Sequence, residues 1–155
     1  MNIHIFIDAE NVPMANAITT CNVLAEGNDV TRCDVVGKED TLSPAYVKRQ
    51  SKTFRIHNCD YGKNSADMYL TVLIAKAIYE ERDTDIPAIV SNERDFAPVI
   101  AAIAELRHVL VIHGKGSGAL RKGIHEFLRR NRSVASFQLA DIDEGGSGAT
   151  LVEIS

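Results

Sequence analysis

Short apolar runs alternate with longer stretches of helical periodicity along most of this 155-residue chain. Strands that alternate with helices of several turns indicate βαβ units, in which the strands lie parallel and the helices cover the sheet. Right-handed crossovers on both faces then give a three-layer α/β/α sandwich. We therefore predict an α/β fold with a mostly parallel sheet of five or six strands. The predicted strands are 3–8, 30–36, 54–57, 86–91, 108–113 and an optional sixth at 134–138, and the predicted helices are 13–26, a short one from Ser43, 65–82, 95–106 and 120–130.

The length fits one domain, and contents of 45% hydrophobic and 25% charged residues are typical of a soluble globular protein. No apolar run approaches the roughly 20 residues that cross a bilayer, so we expect no membrane partner. The first residues do not resemble a secretory signal. Three cysteines without C-x-x-C spacing argue against a disulfide framework and against a zinc site. We expect a cytoplasmic protein.

The formal charge of −4 conceals an uneven distribution of charge. The last fifteen residues carry four acidic residues and no Lys or Arg, whereas seven Lys and Arg lie between Arg107 and Arg132 with a single acid, Glu126. A local basic face matters more for phosphate binding than the net charge does. The same segment can equally be an ordinary solvated helix face.

The composition changes after Asp143, where Glu144–Gly148 has the composition of a linker and a β-like run, 150–154, follows. We therefore predict a domain at 1–140 and an acidic, Gly-rich tail at 141–155. Two alternatives stay open for the tail. It is mobile, or it adds a strand to a sheet edge of its own or of a neighbouring molecule. The second alternative would give a homodimer or a protein partner bound through the tail.

Acidic and amide side chains stand at three places where predicted strands give way to helices. Asp8 and Asn11 follow strand 1, Asp67 lies in the first turn of the helix after strand 3, and Glu93 and Asp95 follow strand 4. The carboxyl ends of parallel strands meet at one edge of a sheet, where ligands bind in open α/β folds. We therefore expect these side chains to converge.

Several carboxylates without clustered Cys or His match the ligand preference of Mg²⁺ or Mn²⁺. Such an ion can activate a bound water and stabilise the leaving oxygen of a phosphate ester. Each residue also has a structural alternative. Asp8 or Asn11 can cap the next helix, and Asp67 suits the third position of a helix that begins after Asn64.

The three segments together resemble the NYN domain family of PIN-like nucleases. The matching motifs are Phe6-Ile7-Asp8-Ala9-Glu10-Asn11, Lys63-x-x-x-Asp67 and Ser91-x-x-x-Asp95-Phe96-x-Pro98, and the resemblance spans residues 3–137. It implies a Rossmann-like sheet of order 3-2-1-4-5 and metal-dependent ribonuclease activity. By position, Asp8, Asp67 and Asp95 take the places of the family's acidic ligands, and Asn11 and Ser91 those of its asparagine and serine. The chain departs from the family pattern at Asn92, Glu93 and His125.

The resulting prediction is a Mg²⁺- or Mn²⁺-dependent endoribonuclease that binds RNA. The predicted catalytic residues are Asp8, Asn11, Asp67, Ser91, Glu93 and Asp95, of which Asp8, Asp67, Glu93 and Asp95 hold the metal, and the predicted RNA-binding residues are Lys63, Lys115, Arg121 and Lys122.

Two other functions stay open. The changes at Glu93 and Arg94 suggest a non-catalytic RNA-binding or regulatory module that keeps the pocket without the chemistry. A receiver domain phosphorylated on Asp60 is the third alternative, because Asp8, Asp60 and Lys115 follow strands 1, 3 and 5. That alternative lacks the adjacent acidic pair expected after strand 1.

Overall fold

The computed structural model describes residues 2–38, 53–59, 62, 64–80, 85–92, 96–104, 108–114, 118–132, 134–142 and 146–154. Its elements, in chain order, are β1 (Asn2–Asp8), α1 (Met14–Gly27), β2 (Asp29–Gly37), β3 (Phe54–Asn58), α2 (Ser65–Glu80), β4 (Ile86–Val90), α3 (Ala97–Ala104), β5 (Val109–Ile112), α4 (Ala119–Arg130), β6 (Val134–Leu139), a 3-10 turn (Gly146–Gly148) and β7 (Ala149–Ile154). The short helix predicted from Ser43 lies outside the described residues.

The strands form one sheet of order β3-β2-β1-β4-β5-β7-β6. The first five pair in parallel, in the order that the resemblance implied, and β1 and β4 are both interior, as expected from their apolar sequences. The carboxyl ends of β1, β4 and β5 therefore lie along one edge of the sheet.

Strand β1 is the centre of the core because its side chains are buried on both faces of the sheet. Ile5 and Ile7 pack on the α1 side, and Phe6 packs on the side covered by α2 and α3. Pro13 stands just before α1, where its missing N–H costs no helical hydrogen bond. A strand buried on both sides is almost continuously apolar, which is why β1 was readable from sequence.

The prediction of a mostly parallel five- or six-stranded sandwich is wrong, because the sheet is mixed and has seven strands. Strand β7 runs antiparallel to β5 and lies between β5 and β6. Strand β6 pairs in the described structure only with β7, as the outer strand of an antiparallel pair. The chain therefore ends its parallel crossovers at β5 and closes the sheet with a β-hairpin-like unit.

The segment predicted to be a tail contributes this interior strand. Within β7, Val152 and Thr150 are completely buried. Both edges of β7 are hydrogen-bonded within the chain, so this strand has no open edge to offer a second molecule. The division of the chain at residue 140 and the homodimer stay predictions.

The helices cover the two faces unequally. Helix α1 packs on one face, and α2, α3 and α4 contribute to the hydrophobic cluster on the other. None of the helices in the described ranges is long and apolar enough to cross a membrane.

Candidate functional site

Asp8 ends β1 with a buried carboxylate, 1% exposed, that three groups from the following loop and from β4 hold in place. Its Oδ2 accepts hydrogen bonds from the side-chain amide of Asn11 at 2.7 Å and from the hydroxyl of Ser91 at 2.9 Å. Its Oδ1 accepts a hydrogen bond from the backbone N–H of Glu10 at 3.2 Å. Burying a carboxylate is costly unless donors compensate it, and these three donors do so.

The loops after β1 and β4 are tied together at the same point. The side-chain amide of Asn92 donates to the backbone carbonyl of Asn11 at 2.8 Å. Ser91 directly follows β4, and β1 and β4 are hydrogen-bonded neighbours. The structure thus brings together three of the predicted site residues, Asp8, Asn11 and Ser91, at the carboxyl edge of the sheet.

The other predicted carboxylates do not complete a described metal centre. Asp67 lies half-buried in the first turn of α2, as predicted, and its backbone carbonyl accepts from the hydroxyl of Thr71 at 2.8 Å. Glu93 and Asp95 lie outside the described residues, as does Asp60 of the receiver alternative. Within the part of the chain that the structure covers, no three His, Cys, Asp or Glu side chains are grouped so as to hold a metal ion. The metal-ligand assignment stays a prediction.

Two of the four predicted RNA-binding residues lie at the start of α4. Arg121 and Lys122 are in its first turn, and the guanidinium of Arg121 donates to the carbonyl of Ser147 at 3.3 Å. Gly118 precedes the helix with a φ of +76°, and a Cβ there would lie 3.2 Å from Nη2 of Arg121. Glycine therefore lets the chain turn beneath this guanidinium.

Helix α4 presents further positive charge to solvent. Arg129 and Arg130 stand in its last turn, and Arg130 pairs with Glu126 at 2.8 Å. Lys63 and Lys115, the other two predicted RNA-binding residues, lie outside the described residues.

A histidine pair meets on the hydroxyl of Thr150, which sequence reasoning did not anticipate. Nε2 of His113 lies 2.8 Å and Nε2 of His125 lies 2.7 Å from Oγ1 of Thr150. Nδ1 of His113 contacts the carbonyl of Gly114 at 2.9 Å. These groups come from the end of β5, from α4 and from β7. The sequence feature that pointed to this contact was Thr150, the single hydroxyl-bearing residue within the β-like run 150–154.

The contacts fix how the protons are arranged in this trio. A carbonyl only accepts, so Nδ1 of His113 carries the proton that it donates to Gly114, and Nε2 of the neutral ring accepts from Thr150. The threonine oxygen then accepts from Nε2–H of His125. Burial lowers the pKa of His113, and burial together with the neighbouring His113, Arg129 and Arg121 lowers that of His125. Both shifts favour the neutral rings.

A second buried polar cluster spans β1, β2 and β3. The carboxylate of Asp34 accepts from Nε2 of His4 at 2.6 Å and from Nε2 of His57 at 2.7 Å, one on each oxygen, and Arg32 lies 3.5 Å away. Burial by itself would raise the pKa of Asp34, but the two histidine hydrogen bonds and the nearby charges hold it well below its usual range. This cluster belongs to the interior of the sheet.

Comparison with known proteins gives a different family from the one that the motifs suggested. Residues 98–155 match the sequence model of the Smr domain. "Endonuclease MutS2" of Geobacillus sp. is 52% identical over 54 residues, 35% of this chain and 7% of that protein. "Endonuclease MutS2" of Leuconostoc mesenteroides is 32% identical over 123 residues, 78% of this chain and 14% of that protein. This chain thus spans a small fraction of the length of these curated relatives.

A crystal structure of the Smr domain of Thermus thermophilus MutS2 is 37% identical, with 41% of this chain and 88% of that chain covered and a TM-score of 0.36. The interpretation of the chain as an NYN-type, PIN-like protein is wrong, because the family match is to the Smr domain and includes residues 98–137 of the stretch over which that resemblance was drawn. Residues 98–155, which contain Arg121, Lys122 and the His113–Thr150–His125 trio, are similar to the Smr domain.

Proposed function

We propose that this protein binds nucleic acid and cleaves its phosphodiester bonds as a Mg²⁺- or Mn²⁺-dependent endonuclease, with RNA as its substrate class. The observation that carries the proposal is the buried Asp8 carboxylate, held by Asn11 and Ser91 at the carboxyl edge of the sheet. The name of the relatives, "Endonuclease MutS2", supports the reaction class. The basic first turn of α4 supports a polyanionic substrate.

The side-chain oxygens of Asp8 and Asn11 are ligands that suit a hard divalent cation. Each carboxylate oxygen has two acceptor positions, and among the described residues Oδ1 of Asp8 accepts only from the N–H of Glu10. The amide of Asn11 donates to Asp8, which leaves its own oxygen as a further neutral ligand. Asp8 and Asn11 would hold the cation, together with the predicted ligands Asp67, Glu93 and Asp95. When bound, the cation supplies an activated water and stabilisation of the leaving oxygen.

The chain's own residues orient this centre. Ser91, directly after β4, holds the side chain of Asp8 in one rotamer, and Asn92 ties the β1 loop to the β4 loop. The second acceptor position of Oδ1 of Asp8 therefore keeps one direction. Arg121 and Lys122 bind the phosphate backbone without reading sequence.

Replacing Asp8 by Asn tests the catalytic part of the proposal. Asn has nearly the same shape but loses the negative charge, so we expect cleavage of labelled single-stranded RNA in Mn²⁺ to fall at least about a hundredfold. The matched control is Asp29→Asn, which removes an exposed carboxylate at the other end of the neighbouring strand. Urea unfolding of both variants shows whether they are folded. Cleavage by a folded Asp8→Asn variant at the wild-type rate contradicts the assignment.

Neutralising the start of α4 tests the binding part. We expect Arg121→Gln and Lys122→Gln each to weaken binding of oligonucleotides of any sequence and to reduce the slope of log affinity against log salt by about one. The measurement is fluorescence anisotropy across a salt series. Lys76→Gln on α2, an exposed lysine paired with Glu80, is the control and should leave affinity and slope unchanged. An unchanged slope in both α4 variants would remove this surface from the proposal.

A second candidate is a nucleic-acid-binding module without catalysis. It is favoured by the finding that the stretch similar to the Smr domain, residues 98–155, contains the basic residues Arg121 and Lys122 but not Asp8. Saturable RNA binding with no cleavage in Mg²⁺ or Mn²⁺ would select this candidate.

A further inference from the structure

A cavity of about 740 Å³ opens between α1 and the turn that leads into β7, next to the end of β5. This volume lies within the range of pockets that hold small organic ligands. Its walls come from the middle of α1, from Ile112 and Gly114 at the end of β5, and from Gly146–Gly148. None of these residues belongs to the Asp8 cluster, so the cavity is a separate feature of the same molecule.

One side of the cavity is aliphatic. Leu24 and Ile112 form its buried base, and Val23 and Ile142 extend this surface outward. Ile142 lines the cavity, yet its side chain is 91% exposed to solvent. Burying a large aliphatic side chain is favourable, so an apolar, flat ligand face would gain by contact with Ile142.

The part of the lining that comes from the first half of α1 is polar and rich in acceptors. The hydroxyl of Thr19 donates to the carbonyl of Ala15 at 3.0 Å, and that of Thr20 donates to the carbonyl of Asn16 at 2.9 Å. Each hydroxyl proton is therefore used, and each oxygen keeps acceptor capacity for a further hydrogen bond at the lining of the cavity. The exposed side-chain amide of Asn16 adds a donor and an acceptor. This arrangement suits the N–H and carbonyl edge of a heterocycle.

The positively charged guanidinium of Arg121 lies beside the cavity. Arg121 donates to the carbonyl of Ser147, which lines the cavity, and its guanidinium has further N–H donors. A ligand with an apolar flat face, a polar edge and an attached phosphate would therefore meet a matching group on each side.

We propose that this cavity binds one nucleobase, with its faces against Val23 and Ile142, its edge toward Asn16, Thr19 and Thr20, and its phosphate toward Arg121. As a base of a bound strand, this occupant deepens the proposed function and depends on it. As a base of a free mononucleotide, it stands independently of that function. The shared chemistry is a nucleobase carrying a phosphate, and the experiment separates the two sources.

The test compares ligands with and without the base. We expect the full chain to bind a single-stranded oligonucleotide roughly tenfold more tightly than the same backbone made of abasic sites, and adenosine 5′-monophosphate more tightly than ribose 5-phosphate. Thr19→Trp, an exposed position that fills the cavity, should abolish the preference for the base and leave abasic binding unchanged. Asn22→Trp is the matched control, because it adds the same side chain to an exposed position of α1 outside the cavity.

Each outcome decides between the claims. If intact and abasic strands bind equally to wild type, or if Thr19→Trp keeps the preference, the nucleobase inference is overturned while strand binding still supports the proposed function. If no strand binds but the mononucleotide does and Thr19→Trp abolishes its binding, the cavity takes a free nucleotide and the proposed function fails. Loss of the base preference in Asn22→Trp as well would overturn the inference, because the effect would not belong to the cavity.

Discussion

Asp34 and Asp8 differ at the residue scale, although both are buried carboxylates near histidine or amide donors. Asp34 has histidine on both of its oxygens, so its hydrogen bonds lie within the sheet. Asp8 has its donors on the loop side, where Asn11 and Ser91 reach it from the carboxyl edge. The first arrangement stabilises the fold, and the second lies at the edge of the sheet where the proposed function places the cation.

Replacing Asp34 by Asn should destabilise the protein in a pH-dependent way. The pKa of Asp34 is lower in the folded than in the unfolded chain, so its ionisation stabilises the fold at pH values above the ordinary aspartate value of about 3.9, and this contribution is lost as the pH falls below it. At neutral pH we expect Asp34→Asn to lower the free energy of unfolding by about 2 kcal/mol, since both histidines lose a charged acceptor.

The measurement is urea unfolding at neutral pH and near pH 3. The difference in free energy of unfolding between wild type and Asp34→Asn should shrink on acidification. Asp29→Asn, at an exposed position, is the control and should show little difference at either pH. A difference that stays constant or grows at low pH would mean that the charge of Asp34 does not stabilise the fold.

At the scale of elements, β7 links the two parts of the sheet. It is hydrogen-bonded to β5 on one side and to β6 on the other, and it brings Thr150 to the histidine pair. Val152 is fully buried in the cluster that includes Ile124 and Leu128 of α4. The orientation of α4, and therefore of Arg121 and Lys122, depends on this strand.

A chain ended after residue 140 tests the role of β7. Removing the strand opens the edge of β5, removes the described partner of β6 and leaves a cavity where Val152 packs. We expect the free energy of unfolding to fall by at least about 3 kcal/mol or the cooperative urea transition to be lost. A truncated chain that unfolds at the same urea concentration as the full chain would mean that the segment is a dispensable tail.

The elements also show which parts of the fold are readable from sequence. Strand β1 and the position of Asp8 and Asn11 at its end were predicted because apolar runs and the residues at their ends are local signals, whereas Ser91 was assigned to the site through the resemblance. The place of β7 was not predicted, because a six-residue β-like run after a Gly-rich segment does not encode which strand it pairs with or in which direction. The contacts of Asp34 were missed for the same reason, since they depend on the register of three strands.

At the scale of the whole molecule, the carboxyl edge of the sheet gathers the groups that the proposed function needs. Asp8 ends β1, Ser91 follows β4, and the loop after β5 leads to the basic first turn of α4. Asp8 thus lies at the end of β1 and the basic surface follows β5, with β4 between these two strands. This placement supports the proposal that a chain with a net charge of −4 binds a polyanion through a local basic surface.

The central claim is that the Asp8 centre binds the divalent cation that nucleic acid cleavage uses. Its most direct test is a crystal of the protein soaked in Mn²⁺, with anomalous scattering used to locate the ion. The account predicts an anomalous peak in contact with the carboxylate of Asp8, absent from crystals of Asp8→Asn. An ion bound only elsewhere, or no ion at any Mn²⁺ concentration that supports cleavage, would contradict it.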